Sequence, residues 1–297
     1  MATRPGGARW RFDAIGTAWQ IDTETPLTAA DRAAVTALVD RFDSTWSRFR
    51  DDSLVRELAR QPGAVPVPTD AAAMLEAFVA LSDATDGAVN PLVGDALASL
   101  GYDADYTLRS RGPEAAPARW RDQLTWDDAS LALAVPAQID VGALGKGRLV
   151  DLVHARVVAA VPGPVVVDAG GDLAVHGTTE RIALEHPFDP RRAVGVWEVG
   201  DAALCASATN RRTWGDGLHH VLDARTGHPV RTIAATWAVA ETAMWADALA
   251  TALFFDGGPA LAAARGSAWV RMTTDGRLEW SPGCAAELFV RPSTVER

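Results

Sequence analysis

The only lysine in the chain, Lys146, sits within Ile139–Asp151 (IDVGALGKGRLVD), where an apolar strand runs into a Gly-rich turn and then a helix. Glycines let backbone N–H groups approach an anion, and a helix N-terminus favours negative charge. Lys146 could neutralise a phosphate there; a tight strand-to-helix turn is the other reading. The P-loop spacing is absent, and Gly147 stands where a magnesium-binding hydroxyl would be. A second segment, Val167–Leu173 (VDAGGDL), sets two glycines between two carboxylates, as close backbone approach to a ligand or a plain turn would require. In His219–Pro229 (HHVLDARTGHP), His220 and Asp223 lie three apart, suited to proton transfer or to mutual orientation, or simply a solvated pair. In Thr242–Phe255 (TAMWADALATALFF), Asp247 and Thr251 share one helical face among Ala, Leu and Phe. A carboxylate buried there is costly unless paired or metal-bound, and Asp and Thr oxygens suit a hard cation such as Mg²⁺. The alternative is an Asp that satisfies free N–H groups of the first turn.

These segments need elements to carry them. Phe12–Asp22 reads as a strand, and Thr28 with Asp31 reads as a capping box ahead of Val35, Leu38, Val39 and Phe42 at helical spacing. Thr69-Asp70 caps a second helix through Leu81, and a short helix follows Pro91. Tyr102–Arg121 reads as irregular surface loop. Beyond it, Leu131–Val135, Gln138–Val141, Val165–Asp168, Leu173–His176, Ile182–Glu185, Val194–Val199 and Thr236–Glu241 read as strands. Arg148–Ala160 and Thr242–Phe255 read as helices. Trp269–Thr273 and Leu278–Trp280 form a hairpin about Asp275-Gly276, and Glu287–Val290 adds a strand. Antiparallel-looking strands with segregated helices predict an α+β fold. The expected organisation is an extension over 1–9, one two-lobed domain over 10–292, and a tail over 293–297.

Composition narrows the function. The 297 residues are 48% hydrophobic and 22% charged, which excludes a disordered or collagen-like chain. No apolar run is long enough to span a membrane. The net charge of −10 argues against a nucleic-acid binder, so an anionic ligand needs a local site and a cation's help. Two cysteines make neither a disulfide framework nor a zinc site. The N-terminus shows no apolar leader or lipid-attachment cysteine, and the expected location is cytoplasmic. In a chain whose other 27 basic residues are all Arg, a lone Lys stands out as a position chosen for its compact ammonium, or as a chance survivor.

Taken in order, six segments resemble the FAD:protein FMN transferase (ApbE) family: Ser47–Ser53, Asp86–Gly94, Ile139–Asp151, Asp168–Asp172, His220–Gly227 and Ala246–Leu253. The resemblance covers nearly the whole chain. It implies transfer of FMN from FAD, as substrate, to a Thr or Ser hydroxyl of an acceptor flavoprotein, with release of AMP. It implies Mg²⁺ held by Asp247 and Thr251, joined by the carbonyl of Ala143 and a backbone contact from Ala250. FAD contacts would fall on Phe49, Ala88, Val89, Asn90, Asp140 and Lys146, and near Val221 or Leu222. His220 would be the base, with Asp223 orienting it or competing for the role. Hydrolysis of FAD to FMN and AMP, or non-catalytic FAD binding, are the rival readings. Three positions depart from the family pattern: Asn90 replaces an acid, Ala224 replaces a Pro, and Ala206-Ser207-Ala208 replaces T-S-G.

Overall fold

The computed structural model describes residues 7–289. Residues 1–6 of the expected extension, the tail over 293–297 and Val290 of the last expected strand lie outside the described residues. The chain opens with β1 (Ala8–Ala14) and β2 (Thr17–Thr23), so the first strand begins inside the expected extension. Ile15 and Gly16 both adopt positive φ, 46° and 74°, the geometry of a two-residue hairpin turn. Then come α1 (Ala29–Trp46), α2 (Leu54–Arg60), β3 (Gly63–Pro66), α3 (Ala71–Ala84), α4 (Gly94–Ser99), β4 (Leu124–Trp126) and β5 (Ser130–Leu133). The middle holds α5 (Gly145–Val158), β6 (Val165–Asp168), β7 (Asp172–His176), β8 (Thr179–Glu185), β9 (Ala193–Gly200) and β10 (Ala203–Ala208). Two small hairpins follow, β11 (Thr213–Trp214) with β12 (Leu218–His219) and β13 (Leu222–Asp223) with β14 (His228–Pro229). The chain closes with β15 (Ile233–Ala240), α6 (Ala243–Ala252), α7 (Gly258–Ala264), β16 (Ala268–Thr273), β17 (Leu278–Trp280) and β18 (Glu287–Leu288).

The architecture is mixed α+β. An eight-stranded sheet in the order β1-β2-β6-β7-β10-β15-β16-β17 is antiparallel at every pairing. Alternate residues of its strands enter different cores, as period-2 geometry demands. Val165 and Val167 face a large cluster with Leu149 and Val153 of α5, Leu249 of α6 and Phe78 of α3. Val166, Leu173 and Val175 face a second cluster closed by Leu184 of β8 and Trp197 of β9, from the three-stranded sheet β18-β9-β8. A third cluster joins Leu97 and Leu100 to Tyr102, Trp214 and Leu222, with Phe49 against it. Among the described residues no helix is long and apolar enough to cross a membrane.

Several expectations need correction. Gln138–Val141 forms no strand: it runs beside Pro91 and the first turn of α4, where Asp95 accepts from the Gln138 N–H at 3.0 Å. Asp70 precedes α3 but does not cap it; its carboxylate instead holds Arg148 of α5 at 2.6 Å. The helix expected through Phe255 ends at Ala252. The loop after Tyr102 is irregular, yet Tyr102 itself is buried and Trp120–Asp122 forms a short 3₁₀ turn. The capping box of α1 is present, with Thr28 and Asp31 bonding each other's backbone N–H.

Candidate functional site

Helices α5 and α6 cross at Gly147. A Cβ there would lie 2.2 Å from the carbonyl oxygen of Ala243 and 2.7 Å from Cβ of Asp247, so only glycine permits the crossing. Across the crossing, the Gly147 N–H donates to Asp247 Oδ2 at 2.9 Å. Asp151, one turn further along α5, accepts from the Ala243 and Met244 N–H groups at 2.7 and 2.9 Å. It thereby serves as a cap supplied by another helix, while Thr242 caps α6 locally through the Trp245 N–H. Helix α6 is thus fixed at its start and at Asp247, and Thr251 follows one turn on.

Thr251 Oγ1 donates to the Ala143 carbonyl at 3.1 Å. Two ligand oxygens of an octahedral Mg²⁺ with bonds of about 2.1 Å are about 3 Å apart, so this pair has the spacing of one coordination edge. The Ala250 carbonyl accepts from Thr236 Oγ1 at 2.6 Å and keeps a second lone pair. Asp247 is buried at 3% exposure, and its carboxyl is pushed up to about 8, by burial first and then by Asp172. Asp172 is fully buried, with Oδ1 unpartnered and Oδ2 2.8 Å from Lys146 Nζ. Two buried carboxylates therefore share one ammonium. That deficit of positive charge, beside three hard oxygens, fits a divalent cation. Among the described residues no three His, Cys, Asp or Glu side chains converge on a metal position. A cation here would rest on one carboxylate, a hydroxyl and carbonyls.

Lys146 is more committed than its sequence context implies. Its ammonium binds Asp172 and also donates to the Ala169 carbonyl at 3.4 Å. Burial works to lower its pKa, but Asp172 and Asp247 outweigh that and the pKa is raised, so it stays charged. The turn at Gly170 and Gly171, with φ of 67° and 111°, brings Ala169 and Asp172 to this point.

The remaining expected residues form the other wall. Arg48 is buried, pairs with Asp140 and donates to the Tyr102 carbonyl at 2.7 Å. Asp140 also accepts from the Gly142 N–H at 2.7 Å, so its carboxylate shapes the Gly-rich turn. Phe49 lies under the Arg48 guanidinium and stacks on Tyr106 with centroids 5.2 Å apart. Tyr106 is half exposed and holds a positive φ of 50°. Leu222 is packed in the third cluster, and the Val221 N–H donates to His219 Nδ1 at 3.3 Å. The Ala88 carbonyl accepts from the Ala224 N–H at 3.0 Å, and the Val89 N–H donates to Thr85 Oγ1 at 3.1 Å.

Two departures gain a physical reason here. Asn90 Nδ2 donates to the Pro117 carbonyl at 2.9 Å, while Oδ1 accepts from the Leu92 N–H at 2.8 Å. An acid could not make the first bond. Proline at 224 would lack the N–H that binds Ala88. Nothing in the structure explains Ala208.

His220 and Asp223 do not act on one another. Asp223 is engaged by Arg225, with contacts from 2.7 to 3.2 Å, and its pKa is lowered: burial opposes that shift, and the bonds to Arg225 outweigh it. His220 lies near Arg212 and Asp140, its Nδ1 buried without a hydrogen-bond partner. Burial, then the Arg212 charge, pushes its pKa down to about 3. The ring is neutral at physiological pH. Sequence reasoning passed over Arg48, which orders Asp140, although it sits directly beside Phe49. It also passed over Tyr102 and Tyr106, which extend the Phe49 shelf. Two clefts flank these elements, one lined by Asp151, His154 and His176 and one by Arg56 and Gln138.

A family profile described as the ApbE family matches residues 15–271. The chain is 28% identical to an FAD:protein FMN transferase of Rhodobacter capsulatus over 314 residues, covering 96% of this chain and 60% of that protein. It is 27% identical to one of Treponema pallidum over 282 residues, covering 81% and 76% of the two chains. The chain thus spans less than two thirds of the Rhodobacter relative. Among solved structures, the ApbE protein of Thermotoga maritima superposes with a TM-score of 0.81 at 23% identity, over 93% of this chain and 97% of that one. The apo flavinyl transferase ApbE of Pseudomonas stutzeri superposes at 0.77 and 24% identity, over 93% and 94%. At these identities the superpositions speak to the fold.

Proposed function

This chain belongs to the ApbE family, and we propose from that premise that it transfers FMN from FAD to a Thr or Ser hydroxyl of an acceptor flavoprotein, releasing AMP, with Mg²⁺ as its cation. The observation that supports this most is the cation-deficient cluster of Asp247, Asp172 and Lys146 beside the Ala143 and Thr251 oxygens. Mg²⁺ would be held by Asp247, Thr251 and the carbonyls of Ala143 and Ala250, and would stabilise charge on the phosphoryl oxygens. The chain's own part is positioning and proton handling. Asp172 and the Ala169 carbonyl hold the Lys146 ammonium at the head of α5. The Phe49 and Tyr106 rings offer a stacking face to a flat heterocycle. As the acceptor oxygen bonds to phosphorus and the bond to the AMP phosphate opens, His220 Nδ1 takes the hydroxyl proton. The ring is neutral and its Nδ1 is unpartnered, and its depressed pKa makes it a weak base. Asp223 has no part in that step, since Arg225 occupies it.

The test is co-expression with candidate acceptor flavoprotein domains, followed by mass spectrometry for a covalent FMN adduct and assay of AMP. An adduct that disappears in the Asp247→Ala variant supports transfer. AMP and free FMN without adduct would show hydrolysis instead. Intact bound FAD in the presence of Mg²⁺ and acceptor would show a binding protein.

A further inference from the structure

The cleft's acidic wall is matched by cations that are nearly all spent. Arg48 is committed to Asp140 and to the Tyr102 carbonyl. Lys146 is committed to Asp172 and the Ala169 carbonyl. Arg212 is the exception. Among the described residues its guanidinium has no ion-pair or hydrogen-bond partner, and it is exposed.

Its position follows from the β11–β12 hairpin. Thr213 pairs with His219 and Trp214 with Leu218, so the same register carried one residue back sets Arg212 opposite His220. Trp214 anchors that strand: its Nε1 donates to the Leu100 carbonyl at 2.8 Å, and its ring stacks on Tyr102. Arg211 is held by Glu185 at 3.1 Å, while the Arg212 backbone is bonded to the His220 ring. Consistent with that placement, the Arg212 charge acts on Tyr102, His220 and Asp247, which come from three different segments around the cleft.

We propose that Arg212 is the anion-receiving residue of this site, its free guanidinium binding the pyrophosphate of the flavin dinucleotide beside His220. The proposal rests on the reading of the cleft as an FAD site. A pyrophosphate adds one negative charge per phosphate to a site whose Arg48 and Lys146 are already paired with Asp140 and Asp172. Arg212 is the available donor there, with a fork geometry suited to phosphate oxygens.

The experiment measures binding of FAD and of riboflavin by flavin fluorescence and calorimetry, with Mg²⁺ present, for the unaltered protein, Arg212→Ala and Arg212→Lys. Thermal melting checks the fold. We expect Arg212→Ala to weaken FAD on the order of 10- to 100-fold, as loss of a charge-assisted bond does, and to leave riboflavin within about 2-fold. Arg212→Lys should recover part of the FAD affinity, and the salt dependence of FAD binding should flatten in Arg212→Ala. Equal FAD affinity in Arg212→Ala would overturn the proposal while leaving the FAD site standing. So would an equal loss for riboflavin, which would make Arg212 a wall of the cleft, or a loss confined to acceptor binding. If the unaltered protein binds no FAD, the site reading itself falls and the proposal with it.

Discussion

Asp247 bears an unusual load for one carboxylate: it joins two helices, lies beside a second buried carboxylate and, on the function proposed above, offers a ligand oxygen to Mg²⁺. Asp247→Asn keeps the acceptor for the Gly147 N–H but removes the charge. We expect that variant to lose Mg²⁺ affinity at least about 10-fold and FMN transfer about 10²-fold, while melting no lower than the parent without metal. Calorimetric titration, adduct yield and thermal melts check this; unchanged Mg²⁺ affinity would remove Asp247 from the cation site. His220 gives the second residue-scale prediction. An ordinary histidine would make the rate fall as pH drops through about 6.5. Burial has moved the ring to about 3, so its proton-accepting form is present at every pH above that value. Transfer measured between about pH 8 and 5 should therefore show no histidine step, and His220→Asn should lower it roughly 10²–10⁴-fold at every pH in that range. A step near 6.5 that vanishes in the variant would contradict the burial argument. The Asp247–Thr251 pair was legible because both residues lie on one helix at i and i+4. The partners of His220 were not, because Arg212 meets it only across a hairpin, while Asp223, its neighbour in sequence, pairs with Arg225.

At the scale of elements, the site depends on where α5 meets α6. Asp151→Ala removes both bonds to the N-terminus of α6. A lost cap costs about 1–2 kcal/mol, and the tilt it allows reaches Asp247 and Thr251. The expected result is a lower melting temperature together with weaker Mg²⁺ binding, whereas a stability loss with unchanged Mg²⁺ affinity would confine Asp151 to capping. Gly147→Ala should be worse, since its methyl group would meet backbone and not a movable side-chain tip. The long amphipathic helices and the hairpins with marked turns were readable from periodicity. Strand β10 was not: apart from Leu204, Ala203–Ala208 is built of small residues, none of them β-branched, and it becomes a strand because β7 and β15 pair with it on both sides. The reverse holds for Gln138–Val141, whose apolar alternation looks like a strand but whose pairing groups go to Asp95 and to the loop at Pro91.

Across the whole molecule, the proposed metal site would link metal, proton and stability through the same cluster. Asp247 is held protonated up to about 8 in the fold, against about 3.9 for a free Asp. A carboxyl whose folded pKa is raised favours the fold at low pH and loses that advantage as pH rises toward about 8. Mg²⁺ requires the deprotonated form, so its stabilisation should grow over the same interval. The melting temperature gained on adding Mg²⁺ should therefore be larger at pH 8.5 than at pH 6.5, and the difference should vanish in Asp247→Asn. A gain independent of pH would show that the cation binds elsewhere. The overall α+β arrangement was readable from the segregation of strands and helices. The division of each strand's two faces between separate cores was not, since that depends on which distant strands cover the second face.

A final consequence comes from Lys146 being the chain's only lysine. Apart from the α-amino group, the protein carries a single primary amine, and that one is about a quarter exposed and bound to Asp172. Amine-directed reagents, whether acylating labels or lysine cross-linkers, have no other side chain to modify. The protein's surface is therefore silent to that chemistry, and any side-chain labelling reads directly on the cleft. Because Asp172 holds the amine in its charged, non-nucleophilic state, labelling should proceed only as fast as that ion pair opens. The rate of a single acylation then becomes a clock for how often the cleft lets go of its own cation, and for how far a bound dinucleotide slows it.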